Sequence, residues 1–193
     1  MPDPNPAAFA FLSSRQSTPA KLFSGPVPDR DALTAILAAA TRVPDHGKLE
    51  PWRLIVIEAP SMARLADLAE ARAVELGGDA EKIAKGRGQF DLGRLAVVVI
   101  SSPKASDKIP VAEQVLSAGA LCLGIVNAAL AAGWGANWLS GWPSHDADFI
   151  ARAFGCGAGE TVAGIVHIGT PHPAPAPDRP RPDLAKLVTW ADR

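Results

Sequence analysis

The sequence predicts an α+β fold, built as an α/β three-layer sandwich with helices on both faces of a mixed central sheet. Three observations lead there. Leu95–Ile100 (LAVVVI) and Thr161–Ile168 (TVAGIVHI) are apolar at nearly every position, as in strands covered on both faces. Segments of helical periodicity separate these strands. Val115–Trp134 carries no charge over about 20 residues, which calls for a helix buried on all sides.

The elements follow in order. Ala7–Ser14 is a short apolar helix. Pro26-Val27-Pro28-Asp29 forms a turn, with Asp29 placed to cap a helix that runs to about Arg42. Leu33, Ile36, Leu37 and Ala40 make the buried face of that helix. Val43–Gly47 ends it, and Leu54–Ile57 is a short strand entered through Pro51-Trp52-Arg53. Ser61–Leu76 is helical until Gly77-Gly78, and Ala80 to about Gly86 is a further helical piece. Leu95–Ile100 is the central strand, closed by Ser101-Ser102-Pro103. Pro110 opens the long helix, which runs to Ala132. Ala136–Leu139 reads as a strand, Ser144 as the cap of a helix through Phe154, and Thr161–Ile168 as the last strand. Pro171–Pro182 is half proline and reads as polyproline II. Asp183–Trp190 adds a final turn or strand, and its Leu184, Leu187, Val188 and Trp190 point to docking on another surface. The whole chain, 1–193, reads as one domain with 171–193 as an extended C-terminal arm.

Composition narrows the function. The chain is 48% hydrophobic and 20% charged, with net charge -1, and has no basic run. Nucleic acid and anionic membrane surfaces are therefore not expected partners. Cys122 and Cys156 stand far apart, too few for a disulfide framework or a zinc site, and read as small buried hydrophobes. The start of the chain lacks a signal peptide's basic and apolar regions, so a cytoplasmic setting is expected. Val115–Trp134 is long enough to span a bilayer, but Ser117, Asn127 and its many small residues favour a buried soluble helix. An obligate dimer interface, which resembles a core cut in half, would hide it.

No nucleotide or nucleophile motif is complete. Gly155–Gly159 begins like G-x-G-x-x-G but has Glu160 at the last position and precedes a strand. His46, His145, His167 and His172 do not pair at metal-ligand spacing. A cofactor must bring the chemistry, and three clusters suit gripping one. Arg15-Gln16-Ser17 offers a guanidinium fork and a hydroxyl for phosphate. Arg42–His46, followed by Glu50–Arg53, puts two donors at a helix end. Gly135–Trp142 combines small residues with two tryptophans, which lets backbone approach a flat ring.

Taken together the clusters resemble the nitroreductase family, in its minimal form without insertions. The residues that carry the resemblance are R-x-S at Arg15 and Ser17, R-x-P-D-H at Arg42–His46 and P-W-R at Pro51–Arg53. They continue with E-Q-x-x-S-A-G at Glu113–Gly119, W-x-S-G at Trp138–Gly141, A-F-G-C at Ala153–Cys156 and G-T-P at Gly169–Pro171. The resemblance implies a mainly antiparallel sheet and a homodimer holding two FMN molecules at its interface. It implies that Arg15 and Ser17 hold the phosphate and ribityl chain, joined by Arg179 or Arg181 of the arm. Arg42 would lie beside the flavin, His46 would reach the partner's flavin, and Trp138, Leu139 and Ser140 would line the ring. NADH or NADPH would reduce the flavin, and a small electron acceptor such as a nitroaromatic or quinone would then be reduced in a ping-pong cycle. No side chain is expected to act as acid, base or nucleophile, and no metal is expected. Two positions depart from the family: Gln16 stands where a second Arg is frequent, and Leu139 where some relatives have Arg. Other readings of the same residues are a flavin protein for dehalogenation, flavin breakdown or storage, a membrane-anchored protein, and a proline-arm interaction module.

Overall fold

The computed structural model describes residues 3–172 and 178–191. Its helices are α1 (Pro6–Ser14), α2 (Arg30–Ala40), α3 (Ala59–Glu75), α4 (Ala80–Asp91), α5 (Val111–Ala131), α6 (Ala147–Phe154) and α7 (Leu184–Leu187). Its strands are β1 (Trp52–Glu58), β2 (Leu95–Ser101), β3 (Gly135–Leu139) and β4 (Thr161–Gly169), in spatial order β1-β2-β4-β3. Every described pairing is antiparallel, so the expected mixed sheet is antiparallel throughout these residues.

The three layers follow from alternation along the inner strands. Val97, Val99, Val166 and Ile168 face α2 and α5, meeting Leu33, Ile36, Leu121 and Ile125. Ala96, Val98, Ile100 and Ile165 face the other layer, meeting Leu65 of α3, Phe90 of α4 and Phe149 of α6. Both faces of β2 and β4 are thus covered, which is why these strands read as unbroken apolar runs. Phe149 anchors the second layer against Phe90, Trp142 and Phe154, with ring centroids 5.7, 6.4 and 6.0 Å away.

Helix α5 is apolar and long enough to cross a membrane, yet it packs on β2, β3, β4 and α2 as the core helix of its layer. Gly124 allows the close crossing with α2, since a Cβ there would stand 2.6 Å from the Ala40 carbonyl oxygen. The helix is not buried on all sides, as its composition suggested. A stripe including Leu116, 73% exposed, and Leu123, 46% exposed, stays open. Helix α1 buries no residue, although it is apolar.

Three local expectations change. Helix α4 runs on from Gly86 to Asp91 because Phe90 inserts into the core. Helix α6 is capped by Asp146, whose carboxylate accepts from the Phe149 N–H, while Ser144 sits in a preceding 3₁₀ turn over Trp142–His145. Cys122 is buried, with its thiol pushed up to about 12 by burial, but Cys156 is only half-buried beside Arg53. In the arm, residues 173–177 of the expected polyproline run lie outside the described residues, and 178–182 carry no regular structure.

Candidate cofactor site

The chain leaving α1 is tied to the free edge of β3, where the Thr18 N–H donates to the Ala136 carbonyl at 3.0 Å. That anchor sets Arg15, Gln16 and Ser17 beside the arm. Together with Pro19, Asp178, Arg179 and Arg181 they line a cavity of about 310 Å³. Arg15 Nη2 donates to Ser17 Oγ at 3.1 Å, while Arg15 Nε is buried with no partner among the described residues. A buried guanidinium N–H without an acceptor is costly unless an anion takes its bond. Asp178 meets Arg181 at 2.9 Å, so three guanidinium groups face one carboxylate and the cavity favours a negative ligand. Four residues expected at the phosphate, Arg15, Ser17, Arg179 and Arg181, are thus brought together within one chain.

Further along the edge, Trp138 leans over the α5 face of the sheet. A Cβ on Gly164 would stand 2.0 Å from its Nε1, and a Cβ on Gly119 would lie 4.0 Å from the ring tip. Two glycines therefore let a large indole lie flat at the end of β3, 40% exposed. Leu139 closes the strand and Ser140 follows it, its hydroxyl 3.1 Å from His145 Nε2.

Arg42 and His46 take a different place. Arg42 stands exposed after α2, and its side chain has no polar partner among the described residues. Asp45 folds the next loop by accepting the N–H groups of Leu49 and Glu50 at 3.2 and 2.8 Å. Within it Lys48 and Glu50 take left-handed φ of 53° and 47°, strained for side chains of their kind. His46 Nδ1 meets Glu113 Oε2 at 2.8 Å, and Ser117 donates to the Pro44 carbonyl. This second group therefore rests on the Glu113 and Ser117 side of α5, while Trp138 rests on the Gly119 side. Ser117 and Gly119 lie about 200° apart around a helix of 3.6 residues per turn. One chain does not bring the two groups together, and the open stripe of Leu116 and Leu123 runs between them.

Several motif residues turn out to hold the frame. Arg53 meets Glu160 through two 2.8 Å bonds and donates to the carbonyls of Phe154 and Gly155. That arginine holds the Glu160 carboxyl down to about 2, with the Gly157 N–H adding to the effect. Gln114 pins the 104–109 loop, its amide donating to Lys104 and Ile109 carbonyls and accepting from the Lys104 N–H. Sequence reasoning missed Asp178 and the roles of Asp45 and Glu113. A carboxylate one residue before Arg179 was the available signal for the first; the other two depend on long-range geometry.

Ser140 and His145 make a hydroxyl–imidazole pair at 3.1 Å, and no cluster of metal-ligating residues occurs among the described residues. The donor set does fit FMN: an orphaned buried guanidinium N–H and a positive cavity for phosphate, then a flat indole ledge for a ring.

Comparison with known proteins gives the family. Residues 12–170 match the model of the nitroreductase family. The chain is 31% identical over 183 residues to the "Putative NAD(P)H nitroreductase YdjA" of Escherichia coli K12, covering 95% of this chain and 98% of that protein. It is 38% identical over 165 residues to a "Putative NAD(P)H nitroreductase" of Haemophilus influenzae, covering 84% and 88%. Among solved structures, a nitroreductase-like family protein of Bacillus cereus superposes with TM-score 0.77 at 22% identity, covering 100% and 99%. The FMN and NADPH-dependent nitroreductase NfnB of a Sphigopyxis strain gives TM-score 0.74 at 17% identity, covering 95% and 98%.

Proposed function

The chain belongs to the nitroreductase family, and from that premise we propose that it is an FMN-dependent oxidoreductase using NAD(P)H to reduce small nitroaromatic, quinone or similar acceptors. The observation that carries this reading is that Arg15, whose buried Nε has no partner among the described residues, lines a cavity with Arg179 and Arg181. Bound FMN would supply the redox chemistry, taking hydride from NAD(P)H and giving it to the acceptor in a ping-pong cycle. The chain's own part is binding and orientation. Arg15, Ser17, Arg179 and Arg181 hold the phosphate and ribityl end. Trp138, Leu139 and Ser140 line the ring. No side chain acts as acid, base or nucleophile.

The site is completed by a second copy, giving a homodimer. In one chain Arg42 and His46 rest away from the Arg15 cavity, with apolar Leu116 and Leu123 exposed between the groups. A copy seated on that stripe borders both, so Arg42 and His46 reach its flavin. Phe9 and Leu12 of α1 and Leu184, Leu187 and Trp190 of the arm are likewise 60% or more exposed. Among the described residues strand β1 has one unpaired edge, beside a cleft of about 880 Å³ lined by Val27, Leu33, Leu37 and Val56. The apolar end of the partner's arm fits that cleft, as an exposed sheet edge accepts an added segment.

Absorbance of the purified protein and its size on a calibrated column test the reading together. Flavin bands at the size of two chains, and oxidation of NAD(P)H by a quinone, are the expected results. A colourless protein that takes up no added FMN would overturn it.

A further inference from the structure

We propose that Glu113 is a positioning residue for His46, holding its imidazole so that Nε2 is presented to the partner chain's flavin and keeps a proton there when the ring is reduced. This rests on the flavin reading, in which His46 reaches that ring. His46 Nδ1 and Glu113 Oε2 stand 2.8 Å apart. Nδ1 carries the hydrogen of that bond, because an ionised carboxylate only accepts. Nε2 is the nitrogen left for a ligand.

The loop around His46 is held for this contact. Gly47, Lys48 and Glu50 have φ of 72°, 53° and 47°, and left-handed backbone is strained for lysine and glutamate. A Cβ on Gly47 would run into Ile109, so the loop seats directly on that side chain. Three residues at the start of α5 keep it there. Gln114 donates to the Ile109 carbonyl at 3.3 Å, Ser117 donates to the Pro44 carbonyl, and Glu113 meets the imidazole. Stability does not explain the arrangement. Both side chains are exposed, and an exposed pair contributes less than two strained residues cost. What the arrangement fixes is the direction of Nε2. A carboxylate behind an imidazole also raises the basicity of the ring. When reduction brings negative charge to the site, Nε2 takes a proton from solvent and donates it in a hydrogen bond; the proton is held, not passed to an acceptor. Other charges of these loops do not replace Glu113. Asp45 is occupied by the N–H groups of Leu49 and Glu50. Lys48 and Glu50 are opposite in sign, and Lys104, Asp107 and Lys108 of the 104–109 loop are exposed.

The test is the midpoint potential of bound FMN, measured against a reference dye. Glu113→Gln keeps an oxygen for the Nδ1–H but removes the charge. The expected result is a fall of about 30 mV, because reduced FMN loses about tenfold more affinity than oxidised FMN. His46→Asn should fall at least as far, and adding Glu113→Gln to it should give no further fall. Melting temperatures stay near the parent's, since the pair is exposed. A potential that rises in Glu113→Gln marks the carboxylate as a bystander anion and overturns the proposal, as does an unchanged potential. An equal further fall in the double variant overturns it too, because Glu113 then acts without His46. A parent chain that takes up no FMN overturns the flavin reading and this proposal with it.

Discussion

The two helical layers treat charge in different ways. In the layer of α3, α4 and α6, three of the four arginines are consumed internally, Arg64 being the exception. Arg72 binds Asp146 through Nε and Nη2 and also meets Glu75 and Asp148; Arg152 meets Glu75; Arg87 meets Asp67, Glu70 and Asp91. On the side of α1, α5 and the arm, Arg15 has a buried N–H without an acceptor, and the Arg42 side chain no polar partner, among the described residues. Large apolar side chains there face outward. The first layer is finished within one chain. On the proposed reading, the second is completed by an anion and another copy.

The largest expected effect breaks that contrast outright. Leu116→Glu with Leu123→Glu puts two charges on the open α5 stripe without touching the core. The protein should elute at the size of one chain and lose its flavin, while its far-ultraviolet circular dichroism stays unchanged. A dimer that survives the double substitution would remove the stripe as the interface.

Next in size is Arg15→Ala. Losing a charge-assisted bond of about 1.5–3 kcal/mol weakens FMN binding by roughly ten- to a hundredfold. The melting temperature of the flavin-free protein should hold or rise, because a buried unpartnered donor leaves with the side chain. A large fall in that temperature, with FMN affinity kept, would make Arg15 a frame residue like Arg53.

How much of this was legible in the sequence follows the same division. The layers were readable because β2 and β4 are apolar on both faces, a local pattern. The phosphate cluster was readable in part: Arg15 and Ser17 are neighbours, while the arm arginines needed the resemblance to find their place. Where α4 ends was not readable, because Gly86 looks like a stop until Trp142 is seen packed on it and Phe90 in the core. The cap of α6 was missed because Ser144 and Asp146 are equally good caps, and Pro143 and Ser144 are taken by a 3₁₀ turn. The role of Gln114 was invisible, since it depends on a loop closing over ten residues.

A smaller effect belongs to Arg53, a residue of the frame. Arg53→Ala removes both bonds to Glu160 and takes the guanidinium donor from the Phe154 and Gly155 carbonyls at the end of α6. Allowing for solvent around a partly exposed pair, about 1–2 kcal/mol of stability should go, seen as a lower melting temperature with flavin binding kept. The pH dependence gives the finer check. Glu160 is held down to about 2 from an ordinary 4.5, chiefly by Arg53. The unfolded chain binds that proton first, so the bond's contribution is full above pH 4.5 and fades as pH falls toward 2. Parent and Arg53→Ala melting temperatures should therefore converge across that window.

The smallest effect is expected from Glu75→Gln, although Glu75 sits at the centre of the densest ion-pair network, between Arg72 and Arg152. Its carboxyl is held at about 2 by Arg152 first and Arg72 second, a large displacement from 4.5. Yet the side chain is 43% exposed, and water competes for each bond. Gln keeps two acceptor lone pairs, and Arg72 keeps Asp146 and Asp148. The melting temperature should move less than in Arg53→Ala, and salt should erase the difference, as it screens exposed charges. A loss larger than that of Arg53→Ala would mean that the finished layer depends on its surface charges rather than on the packing of Phe90 and Phe149 beneath them.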